Sequence, residues 1–398
     1  DFSAAGINLV SNPNFTDTGS ELVTDGDFSS SANWYEGTGC TISGNQGVFT
    51  SAPSGSGFTG DNLNAAICVI GKSYKVTYTI DSITSGSVGL RHPFTGTYYD
   101  NTSSFPLDVT EYVVADNTSI YIQNSGTTTA TISNVSVKEL GEDWTVTEDT
   151  GSVTFANDQV QIISDGSAAT GIIQGSILSI EKSYKVTIDV ASNTNKFKII
   201  LGGGSIEVTG TGVQTFYGVG AGTALYIYRV VGEAVDVVIN SISVQELGEG
   251  WTAYTSGTST VEYNSSGANL LIDSAANGGS NVGVYQENIF ELGKSYKIVL
   301  SMKATASFDA EVVESNLAAT ENVIGTVSLT TSFQDFTFYY VGTGTFDLFI
   351  HRLYNGGGAS QTISIQSVSV QELDPNGYWT LGTGWSIGAD KAISTVTG

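Results

Sequence analysis

The chain has 398 residues, of which 48 are glycine and only 13% are charged, with a formal net charge of −25 and an isoelectric point near 4.1. So little charge beside so much Thr, Ser, Val and Ile excludes long amphipathic helices, and the negative field repels nucleic acid and anionic membranes. No run of ~20 apolar residues offers a membrane-crossing helix, and the length leaves room for two to four domains.

The N-terminus carries NLVSNPNF at 8–15, and ELVTDGDF at 21–28 repeats the same template. The second copy leads into a module. The first reads as an extra strand, a remnant, or a segment that pairs with another subunit. Trp34 follows, and then GKSYKV at 71–76. Tyr74, Val76, Tyr78 and Ile80 alternate with polar residues, the period of a strand with one buried face. ISNVSVKEL at 132–140 closes this first unit. Its two cysteines, Cys40 and Cys68, are the only ones in the chain. They are no disulfide framework, and read as one bridge or as two small buried residues.

The same order then recurs. Trp144 precedes EKSYKV at 181–186 and INSISVQEL at 239–247, and Trp251 precedes GKSYKI at 293–298 and IQSVSVQEL at 365–373. Tyr184, Val186, Ile188 and Val190 repeat the apolar face, as do Tyr296, Ile298, Leu300 and Met302. Such repetition marks a duplicated module. The expected divisions are an N-terminal segment at 1–20, modules at 21–141, 142–249 and 250–374, and a tail at 375–398. The tail, with Trp379 and Trp385, reads as the opening of a fourth module or a docking segment. A lone opening strand or two cannot bury its apolar face, so the native polypeptide is expected to continue or the tail to dock on a neighbour. Linkers as short as Leu-Gly-Glu predict a semi-rigid rod. Roughly eight to ten short strands per module, separated by Gly, Asn and Asp turns, predict stacked antiparallel sheets. Only ESNLAATENVIG at 314–325 has helical flavour, with a loop equally expected. The triple glycines at 202–204 and 356–358 lack a following helix and read as turns.

The ordered set ELVTDGDF, Trp, TISGNQGV, GKSYKVTYTI and ISNVSVKEL resembles the jelly-roll carbohydrate-binding modules attached to polysaccharide-degrading enzymes. Tandem Gly/Thr-rich copies, and the phrases GSELVTDGDF and WTLGTGWSIGADKA, resemble virion structural proteins of tailed marine bacteriophages. The resemblance implies an all-β chain of tandem jelly-roll β-sandwiches, three complete and a fourth begun. It also implies a concave sheet face that reads glycans. In many enzyme-attached modules the last strand carries two adjacent aspartates, one of which helps hold a structural calcium. The matching positions are Ser133-Asn134, Asn240-Ser241 and Gln366-Ser367, which supply no carboxylate. Cofactors are therefore expected to be none, with Asp25 and Asp27 left as oxygen ligands or, more simply, turn formers.

LYIYRV at 225–230 aligns with LFIHRL at 348–353, and the first module has IYIQNS there. Tyr228, Arg229, His351, Arg352, Gln123 and Asn124 are thus the candidate glycan-binding residues. The alternative is a buried arginine paired with a carboxylate between sheets. The recurrent tryptophans read as core or interface anchors rather than sugar platforms. His92 and His351, the only histidines, fall in different modules, which argues against a metal or catalytic pair. No nucleophile elbow, HExxH, CxxC or Walker motif is present, so no catalytic residue is expected. The leading expectation is a non-enzymatic virion component: a fibre, tail-associated or capsid-decorating spacer that touches host surface glycans weakly. Its expected partners are other virion proteins and further copies of itself, with no nucleic acid and no membrane insertion, and its location the particle surface. Alternatives are a secreted bacterial carbohydrate-binding protein or enzyme appendage, and a cell-surface adhesin or filament subunit.

Overall fold

The computed structural model describes every residue except 1, 3–4, 17, 61–65, 93–95, 256, 274–281, 318–320, 354–359, 375–378, 380–381, 383, 389–390 and 395–398. Its elements are all β-strands, paired antiparallel, in three jelly-roll sandwiches and the opening hairpin of a fourth. Module 2 shows the plan. One sheet runs Ser152–Ala156, Gln159–Ser164, Val235–Leu247, Ser183–Asn193 and Gly212–Val219. The facing sheet runs Thr145–Glu148, Thr170–Gln174, Leu225–Arg229, Phe197–Leu201 and Gly204–Val208. Module 3 repeats this strand order. In module 1 the strands Ser73–His92 and Ile120–Leu140 are long enough to bend through both layers, with register shifts between Ser125 and Thr129, so the layers merge into one sheet.

Within the stretch at 314–325, residues 314–315 and 321–325 are strand rather than helix. Phe308–Ser315 and Glu321–Leu329 are paired strands, in which inward residues such as Val312 and Val327 alternate with solvent-side ones. Residues 318–320 between them, and the glycines at 356–358, lie outside the described residues.

Each sandwich has its own apolar cluster, and the repeated tyrosine strand is central to all three. Its tetrapeptide does three jobs. The lysine pairs with the glutamate of the closing strand: Lys72–Glu139 at 2.5 Å, Lys182–Glu246 at 2.9 Å and Lys294–Glu372 at 3.3 Å. The tyrosine ring is buried, and its hydroxyl accepts the backbone N–H five residues back, at 2.7 Å from Val69, 2.6 Å from Ser179 and 3.0 Å from Glu291. A buried aromatic thereby satisfies a turn amide that the strand ladder cannot reach.

The serine reaches the next module. Ser73 Oγ accepts the N–H of Phe155 at 3.0 Å, Ser183 Oγ that of Tyr263 at 2.8 Å, and Ser295 Oγ that of Ile387 in the fourth hairpin at 3.2 Å. In module 1 the matching amide, that of Ile42, bonds instead to Glu36 of the same module at 3.0 Å. The closing leucine also crosses the junction: Leu140 belongs to the core of module 2 and Leu247 to that of module 3. Gly141 and Gly248, in the linkers, have φ of +69° and +73°, and a β-carbon would stand 2.5 Å and 2.8 Å from the rings of Phe155 and Tyr263. Only glycine fits there. Ser183→Ala should leave the buried Tyr263 amide unpaired, costing about 1–3 kcal/mol of module 3 stability. Faster hydrogen exchange at the Tyr263 amide would report it.

Phe2 and residues 5–16 do not form a unit of their own. Modules 2 and 3 have only three residues between the closing leucine and the tryptophan, so the opening template has no place there. For module 2 the N-terminus supplies it. In module 1, Leu22 N–H donates to Val137 O at 3.0 Å, Val135 N–H to Gly26 O at 2.8 Å, and Glu21 Oε1 accepts the N–H of Val137 at 2.9 Å. In module 2, Leu9 N–H donates to Val244 O at 2.8 Å, Ile242 N–H to Pro13 O at 2.9 Å, and Asn8 Oδ1 accepts the N–H of Val244 at 3.0 Å. Asn8, Leu9 and Pro13 each sit thirteen positions before their counterparts Glu21, Leu22 and Gly26. Phe28 packs on Trp34 at 4.7 Å, Phe15 on Trp144 at 5.7 Å, and Phe2, thirteen earlier again, on Trp251 at 4.6 Å. The segment therefore threads the modules in reverse order. Thirteen extended residues reach at most about 45 Å.

The tryptophans divide accordingly. Trp34, Trp144 and Trp251 are buried, whereas Trp379 and Trp385 are 73% and 50% exposed. Cys40 and Cys68 are free and buried. Burial, with Glu36 adding to it, pushes the Cys40 thiol up to about 11; burial and Glu139 push Cys68 to about 12. Both stay protonated and unreactive at neutral pH.

Candidate functional site

Strand alternation decides which of the six candidates can meet a ligand. Ile122, Ile227 and Ile350 face the cores, so their neighbours Gln123, Tyr228 and His351 lie on the opposite, outer face of the sheet. Asn124, Arg229 and Arg352 then return inward and are buried. Asn124 Nδ2 donates to Ala52 O at 2.9 Å and to Gly126 O at 3.2 Å, and Arg229 Nε donates to Ala168 O. The arginines are thus buried, but the partner shown for Arg229 is a backbone carbonyl rather than a carboxylate. The adjacent pairs read as one patch are split between the two sides of their sheets.

On the outer face, the residues two before the candidates are aromatic in every module: Tyr121, Tyr226 and Phe349. In module 1, Tyr35, Thr59 and Tyr121 lie in register across three strands, and Gln123, Gly89 and Tyr98 across three. Tyr98 Oη donates to Gln123 Oε1 at 3.2 Å, and Gln123 Nε2 and Tyr121 Oη both donate to Gly55 O, at 2.9 Å and 2.7 Å. His92 stacks on Tyr121, with centroids 6.2 Å apart. Tyr35 is 56% exposed, while Tyr98, Tyr121 and Gln123 are partly exposed. Burial raises the Tyr98 and Tyr121 hydroxyls above the usual phenol range, so both remain donors. Hydrogen bonds thus hold Tyr98, Tyr121 and Gln123 on one sheet face, with the exposed Tyr35 in register beside Tyr121 across Thr59.

Module 2 carries a plainer version. Thr147, Gly171, Tyr228, Lys198 and Glu207 form one cross-strand row, and Thr145, Ile173, Tyr226, Ile200 and Ser205 the next. Tyr228 bonds to Thr147 through the hydroxyls at 2.9 Å. A β-carbon on Gly171 would stand 2.1 Å from the Tyr228 ring, so glycine lets that ring lie down on the strand. In module 3 the face is filled by its own side chains. Phe349 and His351 stack at 4.5 Å and are buried under neighbours that include Tyr254 and Tyr285. His351 Nδ1 lies 2.7 Å from Arg352 O and Nε2 3.9 Å from Glu311. His351 therefore cannot touch a ligand there, and the faces grade from open in module 1 to closed in module 3. The sequence alignment missed Tyr35, Tyr98, Tyr121 and Tyr226. The i, i+2 spacing of Tyr121 with Gln123 and of Tyr226 with Tyr228 was the available signal.

The residues do not fit the calcium position of the enzyme-attached modules. Ser133 Oγ donates to Asp81 Oδ1 at 3.1 Å, and Asn240 Nδ2 to Asp189 Oδ2 at 3.0 Å. Asp25 accepts Asn33 Nδ2 at 2.6 Å and Asp27 the N–H of Ser29 at 3.0 Å, which are turn contacts. Among the described residues no group of three or more His, Cys, Asp or Glu is placed to hold a metal ion.

No protein-family model matches the chain, and no curated protein matches it. Among solved structures it is similar to a CBM4 module, at 19% identity over 31% of this chain and 95% of that one, with a TM-score of 0.26. It is similar too to the N-terminal cellulose-binding domain of β-1,4-glucanase C from Cellulomonas fimi, at 16% identity over 31% and 90%, with a TM-score of 0.27. The tandem CBM22-1–CBM22-2 pair of Xyn10C from Paenibacillus barcinonensis matches at 10% identity over 58% and 93%, with a TM-score of 0.22.

Proposed function

We propose that this protein is a non-catalytic, modular glycan-binding spacer, and that module 1 carries its main binding face. The observation behind this reading is the set Tyr35, Tyr98, Tyr121 and Gln123 on one sheet face. Ring faces pack against the C–H faces of pyranoses, and the Gln123 amide and tyrosine hydroxyls supply donors and acceptors for sugar hydroxyls. Hydrogen bonds between Tyr98 and Gln123, and from Gln123 and Tyr121 to Gly55 O, hold these three side chains in place before a ligand arrives, which lowers the entropy lost on binding. Module 2, with Tyr226 and Tyr228, adds a weaker face. Many low-affinity faces in an array give avidity.

The setting we favour is a bacteriophage virion, as a fibre, tail-associated or capsid-decorating component at the particle surface, with other virion proteins and further copies of the chain as partners. The support is the resemblance of GSELVTDGDF and WTLGTGWSIGADKA to such proteins, together with a serially docked array suited to spacing. Mass spectrometry of purified phage particles that failed to find the chain would remove this setting and leave a secreted or cell-surface binder. The binding reading has its own test. Affinity electrophoresis against soluble glucans, xylans and host-surface polysaccharides should retard the protein, and Tyr121→Ala should weaken the strongest interaction about tenfold or more. Retardation by none of them would sink it.

A further inference from the structure

The thirteen-residue register leaves one place unfilled. The closing strands of modules 1 and 2 each present an edge to an opening template, and the inward residues beneath it, Val135 and Val137 in one and Ile242 and Val244 in the other, are fully buried. Their counterparts in module 3 are Val368 and Val370, opposite Leu300 and Ile298 of the tyrosine strand. These two are only partly buried. Over Val368–Glu372 the strand pairs with Ser295–Ala304 on one side, and among the described residues nothing pairs with its other edge. Yet the aromatic end of the site is occupied. Phe2 lies fully buried between Trp251 at 4.6 Å and Tyr263 at 5.9 Å, as Phe15 lies between Trp144 at 5.7 Å and Phe155 at 6.0 Å. Asp1-Phe2 also matches Asp27-Phe28, the end of the template ELVTDGDF.

We propose that module 3 carries an acceptor groove along Val368–Glu372 for an extended strand with the opening-template sequence of residues 21–28, whose phenylalanine position is that of Phe2. The occupant's chemistry follows from the two filled copies. Its first residue has a side-chain oxygen that accepts the edge amide, as Glu21 and Asn8 do. Its third is an aliphatic that joins the core with the inward residues of the closing strand, as Val23 does with Val135 and Val137 and Val10 with Ile242 and Val244. Main-chain bonds to the strand edge give affinity, and the aliphatic and phenyl positions set register.

The test adds Glu-Leu-Val-Thr-Asp-Gly before Asp1 of the full chain, so that its start reads as residues 21–28 do. A control extension carries serine in place of the leucine and valine. Hydrogen exchange at the amides of Val368 and Val370 should slow about tenfold or more with the first extension and stay unchanged with the second. A second arm uses Phe2→Ala and the free octapeptide Glu-Leu-Val-Thr-Asp-Gly-Asp-Phe. The peptide should slow the same amides saturably, and its phenylalanine-to-alanine version should not. The proposal is overturned if neither arm slows them, if the serine control works equally well, or if the amides are already protected in the unextended monomer. Protection only in a concentration-dependent dimer would assign the groove to a second copy and overturn it too.

Discussion

Replacing Phe15 by alanine should destabilise module 2 by about 3–5 kcal/mol, the range for losing a fully buried aromatic, and leave module 1 untouched. The asymmetry is the informative part. Phe15 is far from module 2 in sequence but lies in its core, against Trp144 and Phe155. Losing the ring leaves a cavity and removes the anchor of the reverse-threaded segment. The remaining ties include the Leu9 and Ile242 backbone bonds, the Asn8 side chain, buried Val10, and the exchange between Ser11 and Gln174, whose Oε1 accepts at 3.0 Å and whose Nε2 donates at 2.7 Å. Module 1 keeps its own Phe28 against Trp34. Urea unfolding followed at Trp144 and at Trp34 separately should shift only the first, and limited proteolysis should begin to cut within residues 9–20. Equal shifts at both tryptophans would mean that the segment does not complete module 2 individually.

The second large effect concerns pH. Glu314 is fully buried in module 3, yet its carboxyl is held below the ordinary glutamate range. Burial alone would raise it. The Thr343 hydroxyl, the Thr343 N–H at 2.8 Å, Asn322 Nδ2 at 2.9 Å and the Tyr340 hydroxyl at 2.8 Å donate to it and outweigh burial. Because the folded value lies below the unfolded one, the stabilisation is fully present above the ordinary value of 4.5 and is lost as pH falls through the folded value. Module 3 should therefore weaken on acidification below about 4.5, the usual glutamate range. Glu314→Gln should remove that slope. It should also cost about 2 kcal/mol at pH 7, because an amide nitrogen replaces an acceptor facing four donors. Thermal unfolding of both proteins from pH 3 to 7 measures the slope and the offset together. A wild-type slope that survives the substitution would show that other carboxyls control acid unfolding.

Much of the architecture was legible in the residues. The apolar faces of the three tyrosine strands follow from period-two alternation, because an antiparallel sandwich buries one side of each strand. The order of tryptophan, tyrosine strand and closing strand located the sandwiches because those elements are local, each made by one continuous stretch. The same alternation should have separated Gln123 from Asn124 and Tyr228 from Arg229. An alignment of neighbouring letters drew them together, and the pleat puts them on opposite sides.

What the linear order could not supply is whatever depends on residues distant in sequence. Nothing in NLVSNPNF says that it fits module 2 rather than a neighbouring chain. Its destination depends on Trp144, Val244 and Gln174 converging on one groove. Nor does KSY reveal that its serine bonds forward to Phe155 or Tyr263, since a hydroxyl is satisfied equally well by water. The residues by themselves determined the strands, their buried faces and the threefold duplication, because periodicity and turn chemistry act over a few residues. Only the tertiary structure decided which strand completes which module and which sheet face stays open, because those outcomes rest on which distant surfaces meet.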